Sequence, residues 1–329
     1  MNIAFFSNRP YMQAHFIEQN RQYGFDITWF DADLNADTAM LGRGFDAVCV
    51  FVNDHLDAQV IHTLAEGGVK FIALRCAGYN NVDLQAAAAA GIKVVRVPAY
   101  SPEAVAEHTV GLMLSLNRHI HKAYQRTRDA NFSLNGLVGF NMHGKTAGII
   151  GAGKIGLATL NILKGLGLTL LVHDPKQDQR VLDLGARYVS LERLCAESDV
   201  ISLHCPLTPD NHHLLNRTSF ARMKDGVMII NTSRGGLLNA KDAIEAINSG
   251  KIGHLGLDVY EEEEHLFFAD KSCEIIHDDT FHLLSTYPNV ILTGHQAFLT
   301  KEALTAIAQV TLDNLQRLAD GQPCDNKIN

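Results

Sequence analysis

The sequence has few cysteines, no long apolar run and no basic tract. Its apolar stretches fall short of the ~20 residues that a membrane-spanning helix needs, and Met1–Arg9 holds no basic leader followed by an apolar segment. Lys+Arg 28 against Asp+Glu 36 gives a net charge of −8, which disfavours binding to a phosphate backbone. The six cysteines show no C-x-x-C spacing, so we expect neither a disulfide framework nor a structural zinc site. These absences predict a cytoplasmic protein that binds neither membrane nor nucleic acid.

The length and the composition indicate two α/β domains. With 329 residues, 47% of them hydrophobic, the chain can bury two sizeable cores, since ~150 residues is a common domain size. Short apolar runs alternate with helical stretches over most of the chain, which is typical of parallel βαβ units. The runs that we expect to be strands are 3–6, 27–30, 47–52, 71–76, 94–97, 146–150, 169–172, 200–204, 227–232, 255–259 and 290–293.

A break near residue 99 separates two series of strands. Pro98 ends the first series, and Ser101 and Pro102 suit the cap and the first position of a long amphipathic helix. We therefore predict a flavodoxin-like substrate domain of residues 1–99 plus 299–329, into which a Rossmann nucleotide domain of residues 100–298 is inserted. Both domains are expected to be doubly wound parallel sheets, with a cleft between them.

The most informative motif is a glycine-rich turn in the second half. Gly151, Gly153 and Gly156 follow an apolar strand and precede an expected helix over 157–164. This context is that of a dinucleotide fingerprint, in which the turn and the helix N-terminus bind the pyrophosphate. Asp174, eighteen residues past Gly156, is placed to accept from both ribose hydroxyls, which predicts NAD rather than NADP. The competing interpretation is a tight βα turn that binds no nucleotide.

Reduction of a 2-oxo acid needs a proton donor, a cation for the substrate and an acid that orients the donor. Arg234, Glu263 and His295 follow three predicted strands, at the sheet edge where open α/β proteins bind ligands. Each also has an ordinary interpretation, because Arg234 stands in a glycine turn, Glu263 in a run of four glutamates, and His295 among 16 histidines. Pattern alone does not select these three.

Four motifs together resemble the D-isomer-specific 2-hydroxyacid dehydrogenase family, in the family's order and over essentially the whole chain. The motifs are Gly151–Gly156, Asn231–Gly235, Gly256–Glu263 and Gly294–His295. Three further segments are similar to the fermentative D-lactate dehydrogenase branch, namely Arg75–Asp83, Val97–Pro102 and His295–Phe298. The sequence departs from the wider family at Glu261, where many members have proline, and at Gln296, where many have isoleucine. The position of the catalytic glutamate is set by counting from Asp258, which leaves Glu262 or Glu264 open.

The resemblance implies an NAD-dependent enzyme that reduces pyruvate to D-lactate by hydride transfer. It implies that His295 is the acid/base, Glu263 its partner and Arg234 the substrate-binding arginine. It further implies cofactor contacts and substrate contacts over the rest of the chain. The cofactor residues are Gly151, Gly153, Lys154, Ile155, Gly156, Asp174, Cys205, Pro206, Asn211, Thr232 and Asp258, and the substrate residues are Arg75, Ala77, Gly78, Tyr100, Arg234 and Phe298.

Alternatives remain for the substrate, the class of protein and the assembly. A bulkier oxo acid such as phenylpyruvate or 2-oxoisocaproate would give a related dehydrogenase, and a non-catalytic NAD(H)-sensing protein could use the same fold. In relatives the segment 117–140 packs against a second subunit, which implies a homodimer or homotetramer. The histidine groups 204/212/213, 119/121 and 261–265 do not have zinc spacing, so we expect no metal.

Overall fold

The computed structural model describes every residue of the chain except the side chain of His265. The chain divides into two compact units, Met1–Ser101 with Leu299–Asn329, and Pro102–Phe298. We call them unit 1 and unit 2. Of the helices in the described residues, none combines the length and the apolar character needed to cross a membrane.

Unit 1 is built on a five-stranded parallel sheet in the order β2-β1-β3-β4-β5. The central strands are buried on both faces because helices cover them on each side, which is why they are runs of Val, Ile, Ala and Cys. The strands are β1 Asn2–Phe5, β2 Asp26–Trp29, β3 Ala47–Val50, β4 Phe71–Leu74 and β5 Lys93–Arg96, and the first three helices are α1 Pro10–Asn20, α2 Ala58–Glu66 and α3 Leu84–Ala89.

Local capping fixes where two of these helices begin. The carboxylate of Asp57 accepts from the N–H of Val60 at the start of α2, and Asp83 accepts from Ala86 at the start of α3. Each satisfies one of the orphan donors that a helix leaves at its first turn.

Unit 2 contains a seven-stranded parallel sheet in the order β12-β11-β10-β9-β6-β7-β8. The order reverses between β6 and β9, the topological switch point at which doubly wound sheets bind their ligands. The strands are β6 Thr146–Ile150, β7 Thr169–His173, β8 Arg187–Tyr188, β9 Val200–Leu203, β10 Val227–Asn231, β11 Ile252–Leu257 and β12 Val290–Leu292, and the helices are α4 Pro102–Arg118, α5 Ile120–Arg128, α6 Lys154–Gly165, α7 Gln179–Asp183, α8 Leu191–Glu197, α9 Arg217–Arg222, α10 Ala240–Asn248 and α11 Asp279–Thr286.

The last helix, α12 Lys301–Ala319, returns to unit 1 and packs on α1 and on β4. The C-terminal tail then covers the edge strand β5. Ile328 donates to Val94, and Arg96 donates to Asn326. An uncovered edge strand would present unpaired backbone groups, so the tail completes the sheet.

Candidate active site

The glycine-rich turn joins β6 to α6 with three different steric demands. Gly151 has φ 94°, and a Cβ there would lie 2.7 Å from the backbone of Cys205. A Cβ on Gly156 would lie 2.1 Å from the carbonyl oxygen of Gly151. At Gly153 an added Cβ would meet no heavy atom within 4 Å. Gly151 and Gly156 therefore let the backbone of the turn pack tightly against its neighbours, whereas the outer side of Gly153 is open to a ligand.

Helix α6 begins at Lys154 rather than at Leu157, so the prediction placed its start too late. Gly153 is the N-cap residue, and glycine has no side chain that could accept a hydrogen bond from the helix. The amide groups of the first turn therefore face outward without an acceptor from the N-cap residue. Such an N-terminus carries donors and a partial positive charge suited to a pyrophosphate. Lys154 is exposed there and Ile155 is half-buried.

Asp174 follows β7 and lies against the same turn. One carboxylate oxygen accepts from the N–H of Ala152 at 2.7 Å, and the other accepts from Lys176 at 2.7 Å. The side chain is half-buried, so its oxygens still have room for further donors. The turn and this carboxylate together fit a dinucleotide whose adenosine ribose carries two free hydroxyls.

Four other predicted cofactor residues lie in the loops after β9 and β10. Asn211 caps the 206–211 turn, since its side chain accepts from Thr208 and donates to Pro206. The carbonyl oxygen of Cys205 accepts from Ser233, and burial raises the pKa of the Cys205 thiol to about 11. A thiol of that pKa is protonated at neutral pH and is therefore not a nucleophile. Thr232 is buried and shares a 2.8 Å hydrogen bond with a hydroxyl on α4.

Arg234 follows β10 on a loop that closes around Gly235. Asn231 donates to the carbonyl oxygen of Arg234, and Gly235 approaches Tyr260 so closely that a Cβ would lie 2.1 Å from its backbone. The guanidinium is half-buried and donates to the carbonyl oxygen of Ser233. Over the residues that the structure describes, no carboxylate forms an ion pair with Arg234, so donors remain for an anion.

His295 and Glu263 are brought together by the loops after β12 and β11. Nδ1 of His295 lies 2.8 Å from Oε1 of Glu263, and the other carboxylate oxygen accepts from the N–H of Tyr260. Both side chains are about one-fifth exposed, whereas Glu262 and Glu264 are exposed. His295 has φ 51°, a strained conformation for a residue other than glycine, held by a hydrogen bond from its N–H to Asp258.

Asp258 lies beneath the His295 loop and is fully buried. Its carboxylate accepts from the N–H groups of Gln296 and Ala297 and from the hydroxyl of Thr293, and His108 Nε2 lies 3.4 Å away. Burial by itself raises the pKa of Asp258, but these hydrogen bonds, led by that of His108, lower it below its ordinary value. The sequence predicted a cofactor contact for Asp258, yet its carboxylate is occupied in shaping the histidine loop.

Thr293 and His108 were missed because no sequence motif marks them. His108 is on α4, far from the loop in sequence, and its role depends on how that helix packs under the sheet edge. A histidine at a half-buried position of the predicted long helix was the only signal available.

In unit 1, Arg75 does not lie where the substrate prediction put it. Its side chain is 1% exposed, donates to the carbonyl oxygens of Ser7 and Cys49, and stacks on the ring of Phe5 at 4.3 Å. A direct contact with a substrate is inconsistent with this burial, so the arginine supports the loop from inside.

The neighbouring loop residues Ala77 and Gly78 are half-buried after β4. Arg96 donates to the carbonyl oxygen of Ala77 at 2.6 Å and lies 5.1 Å from the ring centre of Tyr79. Among the described residues the N–H groups of Ala77 and Gly78 have no acceptor. Arg96 thus fixes this loop, while the N–H groups of Ala77 and Gly78 stay available as donors.

The two predicted aromatic residues differ in exposure. Tyr100, in unit 1, is half-buried, and Phe298, at the end of unit 2, is 6% exposed. Of the histidine groups considered from the sequence, the one at 261–265 includes the side chain of His265, which lies outside the described residues.

Known proteins resemble this chain over its whole length. The family profile of the D-isomer specific 2-hydroxyacid dehydrogenase NAD binding domain matches residues 110–297. D-lactate dehydrogenase of Escherichia coli is 58% identical over 328 residues, with 100% of both chains covered. A structure of Salmonella D-lactate dehydrogenase has a TM-score of 0.89 at 58% identity, with 100% of both chains covered. A structure described as the pyruvate reductase of Chlamydomonas reinhardtii has a TM-score of 0.94 at 45% identity, covering 99% of this chain and 98% of that one.

These likenesses confirm the predicted fold, the NAD cofactor and an NAD-dependent oxidoreductase activity. The glycine turn and Asp174 lie within the matched NAD-binding segment. The chain belongs to the D-isomer specific 2-hydroxyacid dehydrogenase family.

Proposed function

We propose that this protein is an NAD-dependent D-lactate dehydrogenase, which reduces pyruvate to D-lactate with NADH. The observation that carries the proposal is the 2.8 Å contact between His295 and Glu263 at the sheet edge that also holds Arg234. An imidazole paired with a carboxylate can give a proton to a carbonyl oxygen as negative charge develops there. The names of the Escherichia coli and Chlamydomonas relatives support pyruvate as the substrate.

Each side chain has a distinct task in this mechanism. When bound, NADH supplies the hydride that reduces the carbonyl carbon of the oxo acid. His295 gives its proton to the carbonyl oxygen from Nε2, while Glu263 at Nδ1 fixes the tautomer and stabilises the imidazolium. Arg234 binds the substrate with its remaining donors and stabilises the developing negative charge. In lactate oxidation His295 takes the proton back.

The cofactor and substrate assignments follow the same reasoning. We propose that Gly151, Gly153 and the first turn of α6 bind the pyrophosphate, and that Asp174 binds the adenosine ribose. The Cys205–Pro206 segment and Thr232 would line the nicotinamide side of the cofactor site. The free N–H groups of Ala77 and Gly78 would bind the substrate carboxylate.

Arg75 and the two aromatic residues take supporting roles in this proposal. Arg75 holds the start of the Ala77–Gly78 loop from the interior through its bonds to Ser7 and Cys49. Tyr100 and Phe298 would limit the space beside the substrate methyl group, which favours a small oxo acid.

The test is NADH oxidation with pyruvate, with the product checked by D- and L-specific lactate assays. His295→Gln should lower kcat by about 10²–10⁴-fold, the usual contribution of a general acid, and leave the affinity for NADH unchanged. His62→Gln, on the exposed face of α2, is the matched control and should behave like the wild type.

Three results would contradict the proposal. Wild-type turnover in His295→Gln would exclude this histidine as the proton donor. NADH binding without turnover on any oxo acid would indicate a sensor. A higher kcat/KM for phenylpyruvate or 2-oxoisocaproate than for pyruvate would assign the enzyme to a bulkier substrate.

We also propose that the enzyme is a homodimer or homotetramer. The segment after α5 exposes three large apolar side chains, Phe132, Leu134 and Val138, which are 75%, 78% and 87% exposed. A second copy of this chain would remove them from water. Light scattering should give at least twice the 36.1 kDa chain mass, and Phe132→Ser with Leu134→Ser should lower it.

The cytoplasm is the proposed location. Among the described residues none of the six cysteines forms a disulfide, and Cys49, Cys76 and Cys195 are buried. Free thiols persist in reducing compartments. Activity recovered outside the cytoplasmic fraction of the source cells would contradict this.

A further inference from the structure

A second group of polar side chains converges in unit 2, and none of them belongs to the proposed catalytic or cofactor set. Nε2 of His212 lies 2.8 Å from Oε1 of Glu261, and Nε2 of His213 lies 2.9 Å from both oxygens of the same carboxylate. The nearest ligand atoms of the three residues all lie within 4.8 Å of one another. Sequence spacing did not predict a metal site because the glutamate is 48 residues from His213.

Adjacent strands of the sheet bring these residues together. The histidines stand in the loop after β9, Glu261 follows β11, and the Arg234 loop after β10 runs between them. The N–H of His213 donates to the carbonyl oxygen of Gly236 in that middle loop. The fold thus holds the histidine loop and the glutamate loop against a common third segment.

The imidazole of His213 is held from several sides. Its Nδ1 lies 3.3 Å from the side-chain nitrogen of Asn239, which keeps Nε2 directed at Glu261. Its φ of 52° is a strained conformation that persists only where the surroundings fix it. The ring centroids of His212 and His213 lie 3.8 Å apart, with the ring planes tilted by 31°.

We propose that His212, His213 and Glu261 form a binding site for a divalent transition metal ion, with Zn²⁺ as the best match. Two imidazole nitrogens and one carboxylate form a donor set that suits zinc, cobalt and nickel. Ligands bonded at about 2.1 Å are about 3.0–3.4 Å apart around such an ion. The histidine–glutamate contacts of 2.8 and 2.9 Å therefore need only a small expansion.

Access and open coordination follow from the exposure of the group. The side chains are 48%, 30% and 29% exposed in the order His212, His213 and Glu261. A metal ion can therefore enter from solvent, and water can complete its shell. The bound ion would link the loops after β9 and β11 across the Arg234 loop.

The experiment measures metal binding directly, so its result does not depend on the oxo acid that the enzyme uses. Tag-free protein treated with EDTA and then freed of it is titrated with Zn²⁺ by calorimetry and with Co²⁺ by visible absorption. We expect one Zn²⁺ per chain and a Co²⁺ spectrum of nitrogen and oxygen ligands. Glu261→Gln, His212→Gln and His213→Gln should each weaken binding by at least about tenfold, because even the loss of a residue behind a ligand costs about 10–100-fold.

His62→Gln is the matched control, because His62 and Glu66 form an exposed histidine–glutamate pair on α2 with 3.4 Å between Nε2 and Oε1. This variant should keep the full affinity. Each variant is checked by thermal unfolding and by NADH binding, and His212→Gln, at the most exposed of the three positions, keeps the test decisive if another variant fails to fold. No binding to the wild type, or equal binding by all four variants, would overturn the proposal.

Discussion

The buried carboxylate of Asp258 accepts a hydrogen bond from the backbone N–H of Ala297 at 2.8 Å, and this contact fixes the loop that carries His295. The Asp258 carboxylate also accepts from the N–H of Gln296 and from the hydroxyl of Thr293. Its backbone carbonyl oxygen accepts from the N–H of His295. The position of the proposed proton donor therefore depends on a residue that does not itself carry out the chemistry.

Asp258→Asn should lower both stability and turnover. The amide nitrogen of asparagine presents donors to N–H groups that need acceptors, and hydrogen bonds to a charged group contribute about 1.5–3 kcal/mol each. We expect the free energy of unfolding in urea to fall by about 2–3 kcal/mol, and kcat to fall more than the affinity for NADH. Asp37→Asn, an exposed position in unit 1, is the control.

The pH dependence of stability gives a second readout for the same variant. Because the folded pKa of Asp258 is lowered, its contribution to stability is present above its unfolded pKa of about 3.9 and is lost as pH falls through the folded value. Wild-type stability should therefore fall more steeply between about pH 5 and about pH 3 than that of Asp258→Asn. Parallel curves would show that the carboxylate is not stabilised in the folded state.

Glu263→Gln separates the three glutamates that the sequence left as alternatives. Only Glu263 contacts His295, while Glu262 and Glu264 are exposed. Loss of a charge-assisted hydrogen bond of about 1.5–3 kcal/mol corresponds to a roughly 10- to 100-fold decrease in kcat/KM for pyruvate. Glu262→Gln and Glu264→Gln should retain wild-type values, and a larger loss in either of them would contradict the assignment.

The glycine turn predicts opposite outcomes for two alanine substitutions. In Gly156→Ala the new Cβ meets the carbonyl oxygen of Gly151, so we expect a loss of about 1–3 kcal/mol of unfolding free energy from overpacking. In Gly153→Ala the Cβ meets no protein atom within 4 Å, so stability should fall by less than about 1 kcal/mol, the cost of alanine at an N-cap, while NADH binding weakens. Urea unfolding and NADH fluorescence titration check the pair, and unaltered NADH binding in Gly153→Ala would argue against a pyrophosphate at this turn.

The sequence predicted the alternation of strands and helices because parallel strands buried on both faces are continuous apolar runs. The sequence predicted the ends of the strands less accurately. The runs 47–52 and 71–76 extend past the last ladder residues Val50 and Leu74, because the N–H of Phe51 turns to the carboxylate of Asp54 and Arg75 turns into the core. The strand β8 was missed because it is a two-residue edge strand without an apolar run.

The site was predictable where a residue contacts its ligand through a local motif, as with the glycine turn. It was not predictable where a residue acts through packing. Arg75 follows a strand like a ligand-binding residue, but its guanidinium points into the sheet between backbone carbonyls. His108 and Asp258 meet only because α4 packs under the edge of β11 and β12. Such contacts between distant segments leave no spacing pattern in the chain.

Asp174 should set the preference between the two nicotinamide cofactors. Its carboxylate is held beside the glycine turn by the N–H of Ala152, so a 2′-phosphate in its place would meet a fixed negative charge. Asp174→Ala should weaken NADH by about 10- to 100-fold, the equivalent of about 1.5–3 kcal/mol for charge-assisted bonds to the ribose, while NADPH should bind as well as before or better. Asp183→Ala, on the neighbouring helix α7, controls for the loss of surface charge. The measurement is the ratio of kcat/KM for NADH to that for NADPH, and an unchanged ratio would show that this carboxylate does not contact the ribose.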